Sequence, residues 1–361
     1  MSLPKFDRML SIAVEHDASD LHLIEGVPPA FRVNGEIILA DSDVLSREDL
    51  VHLTDHLLND VQKQKFEKDW ELCLSNHHPV AGRIRITFYR RNSFPELSIR
   101  FCGDTIQSRE TLGLPEKIDD LARRPNGLVL ITGPTGAGKT TTLNYMLNLI
   151  NRERRCKIVT IEDPIEYVHE NKRAIVVQQE VLTDVHSFNR ALIHVLRQDP
   201  DVIVLGEIRD YAAISTALTA AETGHLVLAT LHSTSVAQAI ERITGAFEGV
   251  AQRQITHQLS NTLQGIIAQE LLPAVGANRR VLAYEVLLAN GAIRNLIREN
   301  QLHQLDNVMM MARKEGMMLM DTCLQDLYLK CLISYDVAAA HARHPGIVGR
   351  PRNGPGVPGA A

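Results

Sequence analysis

The chain has 361 residues, 45% of them hydrophobic but only 4% aromatic, and a formal net charge of -5 at neutral pH. That is enough aliphatic material for two cores, so global disorder is excluded and two domains are expected. The net acidity gives no broad attraction to nucleic-acid phosphates, although a local basic patch stays open.

The opening residues MSLPKFDRML hold no apolar signal-peptide core. The five cysteines (Cys73, Cys102, Cys156, Cys323, Cys331) form no CxxC pair, which argues against a zinc site or a disulfide framework. The longest weakly charged stretch, 212–240, is broken by Glu222, His225 and many hydroxyl residues and is a poor membrane span. A reduced, soluble, cytoplasmic protein is expected.

Residues 1–104 read as a small α+β domain. Alternation in 30–37 (AFRVNGEI) and 82–89 (GRIRITFY) predicts strands, with Asn34-Gly35 as a hairpin turn. Between them, Leu50, Leu53, Leu57 and Val61 fall at helical spacing over 46–70, and Ser46 with Asp49 forms a capping-box start. The segment 105–126, with Pro115 and Pro125, is the expected linker.

From Gly127 onward, apolar runs at 128–132, 158–161, 202–205 and 226–231 alternate with helical segments. One of these, 187–197, puts Phe188, Ala191, Leu192, Val195 and Leu196 on one face. Apolar strands alternating with helices predict an α/β domain, 127–344, whose mostly parallel sheet is covered on both sides. After about residue 250 the chain reads as helices. Six of the nine methionines lie between Met309 and Met320 and suit a helical core or a subunit contact. The Gly/Pro-rich tail from Pro345 reads as disordered.

The sequence GPTGAGKT, running Gly133, Pro134, Thr135, Gly136, Ala137, Gly138, Lys139, Thr140, matches GxxxxGK[ST] in full. A strand at 128–132 precedes it, and Leu143, Met146, Leu147 and Ile150 mark one face of a following helix. Glycines let backbone N–H groups approach phosphates, and the helix N-terminus adds partial positive charge. Lys139 would neutralise the β- and γ-phosphates of ATP, and the Thr140 hydroxyl would bind Mg²⁺. The fold class is therefore a RecA-like α/β P-loop domain with a smaller N-terminal α+β domain.

Acids are also needed, to position magnesium and water. Glu207 ends the apolar run 202–205 after Gly206 and takes the water-activating or magnesium-linked role. Glu162 and Glu166 follow the run 158–161, where acids also commonly cap helices. His232 stands just past the run 226–231; sensing of the γ-phosphate and a satisfied core histidine are equal readings.

The runs GPTGAGKTTT, TIEDPIE, RQDPDVIVLGEIRD and TGHLVLATLHS, in this order, resemble the secretion-type ATPases of type II secretion and type IV pili. In that family they are the Walker A loop, aspartate box, atypical Walker B and histidine box. DASDLH (17–22) and RVNG (32–35) resemble its PAS-like N-terminal domain. AIRNLIREN (292–300) and MMLMD (317–321) are similar to its pilus-retraction branch. The extension and type II secretion branches usually carry a longer N-terminal region and a four-cysteine zinc insert, so retraction is favoured. The chain departs from the family at Ile208, in the His-Ser-Thr-Ser run from His232, and at 244–248, none of which removes a phosphate-contacting group.

The resemblance implies a homohexameric motor with ATP at the seam between domains. Arg83, Arg85 and Arg100 would then reach the phosphates; a solvated strand face is the alternative reading of these positions. It also implies an inner-membrane platform protein of the pilus as partner, with membrane association only through partners. Two further readings stand beside it. A nucleic-acid translocase would need basic channel loops, of which only 152–157 is dense in Lys and Arg. A nucleotide-responsive scaffold would bind ATP without turnover.

Overall fold

The structure, a computed structural model, describes residues 3–33, 35–102, 105–208, 210–276 and 279–349. The strands are β1 (Asp20–Leu23), β2 (Ala30–Val33), β3 (Glu36–Leu39), β4 (Glu71–His78), β5 (Gly82–Arg91), β6 (Phe94–Phe101), β7 (Gly127–Thr132), β8 (Lys157–Glu162), β9 (Ile175–Glu180), β10 (Val202–Leu205), β11 (Leu226–Leu231), β12 (Leu263–Pro273) and β13 (Arg280–Leu288). Two compact units divide the chain. One joins Met1–Ile106 to Asn151–Gly206, and the other joins Gln107–Ile150 to Glu207–Ala361.

In the first unit β1–β6 form an antiparallel sheet in the order β3-β2-β1-β6-β5-β4. Its strands alternate: Ile84, Ile86 and Phe88 of β5 are buried, while Arg83, Arg85 and Thr87 face the other way. The buried face packs with Phe6 and Leu10 of helix Leu3–Glu15 and with Leu50 and Leu53 of helix Arg47–Leu57. Ser46 and Asp49 make the predicted capping box. The predicted turn residue Asn34 lies outside the described residues.

The helical run expected over 46–70 is two helices, because Asn59 forms a second capping box with Gln62 and starts Asp60–Asp69. This leaves Val61 exposed. The same unit holds a parallel group in the order β10-β8-β9; β9 (IVVQQE) is half-exposed and lies outside the four expected apolar runs.

In the second unit the order is β13-β12-β7-β11, with β7 parallel to β11 and β12. Every residue of β7 and β11 is buried. Helix Tyr211–Glu222 packs on both, through an apolar face that includes Ala217 and Leu218.

Three expectations need correction here. The chain beyond 250 is not all helical, since β12 and β13 form a long antiparallel pair. The segment 105–126 carries two short helices, Arg109–Leu112 and Lys117–Ala122, and buries Ile118, Leu121 and Ala122. Pro345–Val348 makes a helical turn with Val348 buried, while 350–361 lies outside the described residues. Of the methionines, Met309, Met317 and Met320 are core, but Met310 and Met311 are exposed. Among the described residues, no helix is long and apolar enough to cross a membrane.

Candidate nucleotide site

After β7 the chain turns at Gly133 and enters helix Lys139–Glu153. Gly133 sits at φ +152°, and a Cβ there would lie 2.3 Å from the Gln269 carbonyl oxygen of β12. The turn therefore fits only a residue without a side chain. Gln269, itself buried, donates from Nε2 to the Ala137 carbonyl at 2.7 Å. The β12 strand thus braces the loop from below, and its tip residues Pro134, Thr135 and Gly136 stay exposed.

Lys139 is buried at the loop's end, and its Nζ donates to the carbonyls of Gly133 and Pro134, each at 2.9 Å. It also lies 3.3 Å from His232 Nδ1. Burial lowers the Lys139 pKa from its ordinary value, and the charge of Glu207 opposes that.

The register of the sheet explains why His232 is there. Leu231 pairs with Thr132, so the loops leaving β11 and β7 start side by side. The Thr132 hydroxyl locks them: it donates to the Ser233 carbonyl at 2.6 Å and accepts from the Ser233 N–H at 2.9 Å. Arg242 Nη1 holds the His232 carbonyl at 2.6 Å. Glu207 is drawn in by the bond from Ile208 N–H to the Thr230 carbonyl at 3.0 Å. His232 Nε2 then lies 3.1 Å from Glu207 Oε1. With Lys139 donating to Nδ1, the ring proton belongs on Nε2 and points at Glu207. The result is an ammonium–imidazole–carboxylate chain beside a phosphate-shaped loop.

Thr140 is half-buried on the first helical turn. Among the described residues, no group of three or more His, Cys, Asp or Glu side chains is placed to hold a metal ion. A magnesium ion at Thr140 and Glu207 would therefore take most of its ligands from phosphates and water.

The other candidates belong to the first unit. Glu162, buried at the end of β8, accepts from Thr160 Oγ1 at 2.6 Å and Gln178 Nε2 at 3.1 Å. Burial pushes its pKa up to about 7 despite those donors. Arg83 donates to the Ile165 carbonyl at 3.1 Å and pairs with Glu180 at 3.2 Å. Arg85 pairs with Glu166 at 3.5 Å. Arg100 stands opposite Arg85 in the β5–β6 register and is held by Asp20 at 2.9 Å. Each arginine of this sheet face thus has a carboxylate beside it.

Sequence reasoning missed Gln269, Thr132 and Glu180. Glu180 is buried and accepts from Ile165 N–H at 3.0 Å and Thr183 Oγ1 at 3.0 Å, besides Ser75 and Arg83. No motif marks these positions.

Comparison with known proteins follows the same lines. The sequence profile described as "Type II/IV secretion system protein" matches residues 104–278. The chain is 40% identical over 337 residues to the type IV pilus retraction ATPase PilT of Pseudomonas aeruginosa, covering 93% of this chain and 98% of that protein. It is 39% identical over 316 residues to a twitching motility protein of Neisseria gonorrhoeae, covering 88% and 84%. A crystal structure of the pilus retraction motor PilT with bound ADP superposes with a TM-score of 0.87 at 42% identity, covering 94% of this chain and 97% of that one.

Proposed function

The chain belongs to the type II/IV secretion system protein family, and on that premise we propose that it is the ATP-hydrolysing motor that powers retraction of a type IV pilus. Its class is ATPase. The observation that carries the reading is the Lys139–His232–Glu207 chain set against the phosphate loop.

The roles follow from that geometry. Backbone N–H groups of 133–140 and the helix N-terminus take the phosphates, and Lys139 leaves its carbonyl partners for the β- and γ-phosphate oxygens. Thr140 and Glu207 would hold magnesium, which when bound would neutralise charge on the phosphates. Glu207 orients water toward the terminal phosphate, and His232 links that carboxylate to the lysine and so reads the γ-phosphate.

The working form is a homohexamer, in which Arg83, Arg85 and Arg100 are the arginines offered to phosphate. Arg85 has a part-exposed ion pair that costs little to exchange for phosphate, and Arg100 is itself exposed, although its partner Asp20 is buried. Arg83 is tied to the buried Glu180 and suits a positioning role better. Glu162 and Glu166 act around that face, with Glu166 holding Arg85 until phosphate replaces it. The motor sits in the cytoplasm at the inner face of the membrane, through a pilus platform protein and without nucleic acid. Work is extracted only if ATP favours one domain arrangement over another.

The test is genetic and biochemical together. Deletion of the gene should leave excess surface pili that no longer retract, and purified protein should release phosphate from ATP with magnesium. Loss of pili on deletion would assign extension instead. Tight ATP binding without phosphate release would make the protein a scaffold.

A further inference from the structure

We propose that the first unit carries a second anion site, in a cleft of about 570 Å³ lined by Arg155, Lys157, Lys172, Arg173 and Asp201, which binds a phosphate-rich anion. The cleft lies where β8 and β9 begin, at Lys157 and Ile175. Glu162 and Glu180 lie at the other ends of those strands, roughly 17 Å away at strand rise. The site is therefore separate from the acids and arginines already assigned.

Four cations face one carboxylate, and that carboxylate is already engaged: Asp201 Oδ2 accepts the Lys157 N–H at 2.8 Å. Lys157 Nζ is engaged with the Gln198 carbonyl and Lys172 has a partner of its own, so Arg155 and Arg173 are the two cations left to a ligand. The cations after helix Lys139–Glu153 have an ordinary partner in the negative end of that helix. Arg173 comes from a different segment, which that account leaves unexplained. Among the described residues, the guanidinium groups of Arg155 and Arg173 have no hydrogen bond or ion pair.

The backbone presenting these charges is fixed in advance. Asn151 is fully buried and holds the 170–174 loop at four points. Its Nδ2 donates to the Glu170 carbonyl at 2.7 Å, and its Oδ1 accepts from the Lys172 N–H at 3.1 Å. Its carbonyl accepts from Arg173 N–H at 2.8 Å and Ala174 N–H at 3.2 Å. The opposite wall is joined by the Ile175 N–H bond to the Cys156 carbonyl at 2.9 Å. A ligand arriving here does not have to order the loop, which favours a specific site over a solvated charged face. Forked guanidinium donors from two walls suit phosphate oxygens, and two of them match the charge of a phosphoryl group. A free phosphate or diphosphate, or phosphate headgroups at a lipid surface, supplies that chemistry.

Calorimetry with inorganic pyrophosphate, on the full chain saturated with ADP so that the phosphate loop is filled, tests the soluble source. Flotation with phosphatidylglycerol-containing vesicles tests the lipid source. Both are run at about 0.15 M salt, where exposed pairs are screened. The variants are the Arg155→Ala, Arg173→Ala double and, independently, Lys172→Gln, with unchanged ATP turnover as the control for folding. Saturable binding of either probe by wild type, weakened tenfold or more in the variants, supports the site and names its source. No binding of either probe by wild type, or equal binding by wild type and variants, overturns it.

Discussion

His232 Nε2 and Glu207 Oε1 stand 3.1 Å apart, with the other ring nitrogen of His232 turned to the Lys139 ammonium at 3.3 Å. One imidazole therefore fixes where the carboxylate points and registers where the lysine is. If Glu207 orients water, Glu207→Ala should lower kcat by at least about a hundredfold, the usual scale for a positioned general base. Nucleotide affinity should change little, because the loop and Lys139 are untouched. His232→Ala should cost about tenfold, and the double variant should be no slower than Glu207→Ala alone, since the two act as one unit. Steady-state phosphate release and fluorescent-ADP titration separate the two effects. Wild-type turnover in Glu207→Ala would remove the assignment.

Gln269→Leu is expected to weaken ATP use without weakening the fold. The change removes the 2.7 Å bond to the Ala137 carbonyl that braces the loop. It also removes a buried Oε1 that has no partner among the described residues. Losing a good buried bond costs about 1 kcal/mol, and deleting an unsatisfied acceptor offsets a similar amount. Urea unfolding should therefore shift little, while KM for ATP rises several-fold. A large stability loss with unchanged KM would show that Gln269 serves packing rather than the loop.

Glu162 predicts a pH signature. Burial raises its pKa from the ordinary 4.5 to about 7 in the folded chain, so between those values the native state binds more proton than the unfolded state. Stability from this group is full below about pH 4.5 and is lost as pH rises through 7, by about 3 kcal/mol in all. Glu162→Gln keeps the acceptor for Thr160 and removes the titration. Melting curves from pH 5 to 8 should show wild type losing stability relative to the variant as pH rises. Parallel curves would place the carboxyl in a wetter setting than its burial implies.

The phosphate loop was legible because eight residues must carry their own chemistry whatever surrounds them. His232 and Glu207 were legible as positions after strands, yet their pairing was not. It depends on Leu231 facing Thr132 across β11 and β7, and register between distant strands leaves no local mark. The β12–β13 pair reads as helix because LQGIIAQELL, largely buried on both faces, shows no period-two alternation of apolar and polar residues. The break at Asn59 was readable, since Asn59 and Gln62 spell a capping box inside an otherwise helical run. Gln269 and Glu180 could not be found, because a single buried polar residue is defined by what the fold brings to it.

A last prediction concerns Glu285 and Arg343. Glu285 is fully buried on β13, and Arg343 grips both its oxygens at 3.1 and 2.8 Å. Glu285 Oε2 also accepts from Val236 N–H at 2.9 Å, at the start of helix Val236–Thr244, four residues after His232. Removing one partner of a buried pair typically costs 3–5 kcal/mol, roughly, because the other charge is left stranded. Arg343 is about one-third exposed, which brings the cost below that range, to about 2–3 kcal/mol for Arg343→Ala. Burial already raises the Glu285 pKa, and losing its strongest stabilising partner should raise it further. The stranded carboxyl can then be neutralised by protonation, so the variant should be nearer wild type at pH 5.5 than at pH 8. Glu285→Gln keeps an acceptor for Val236 and should lose less at pH 8 than Arg343→Ala. Urea midpoints for the three proteins at both pH values decide it, and a pH-independent loss in Arg343→Ala would mean that its aliphatic stem, not its charge, is what the fold requires.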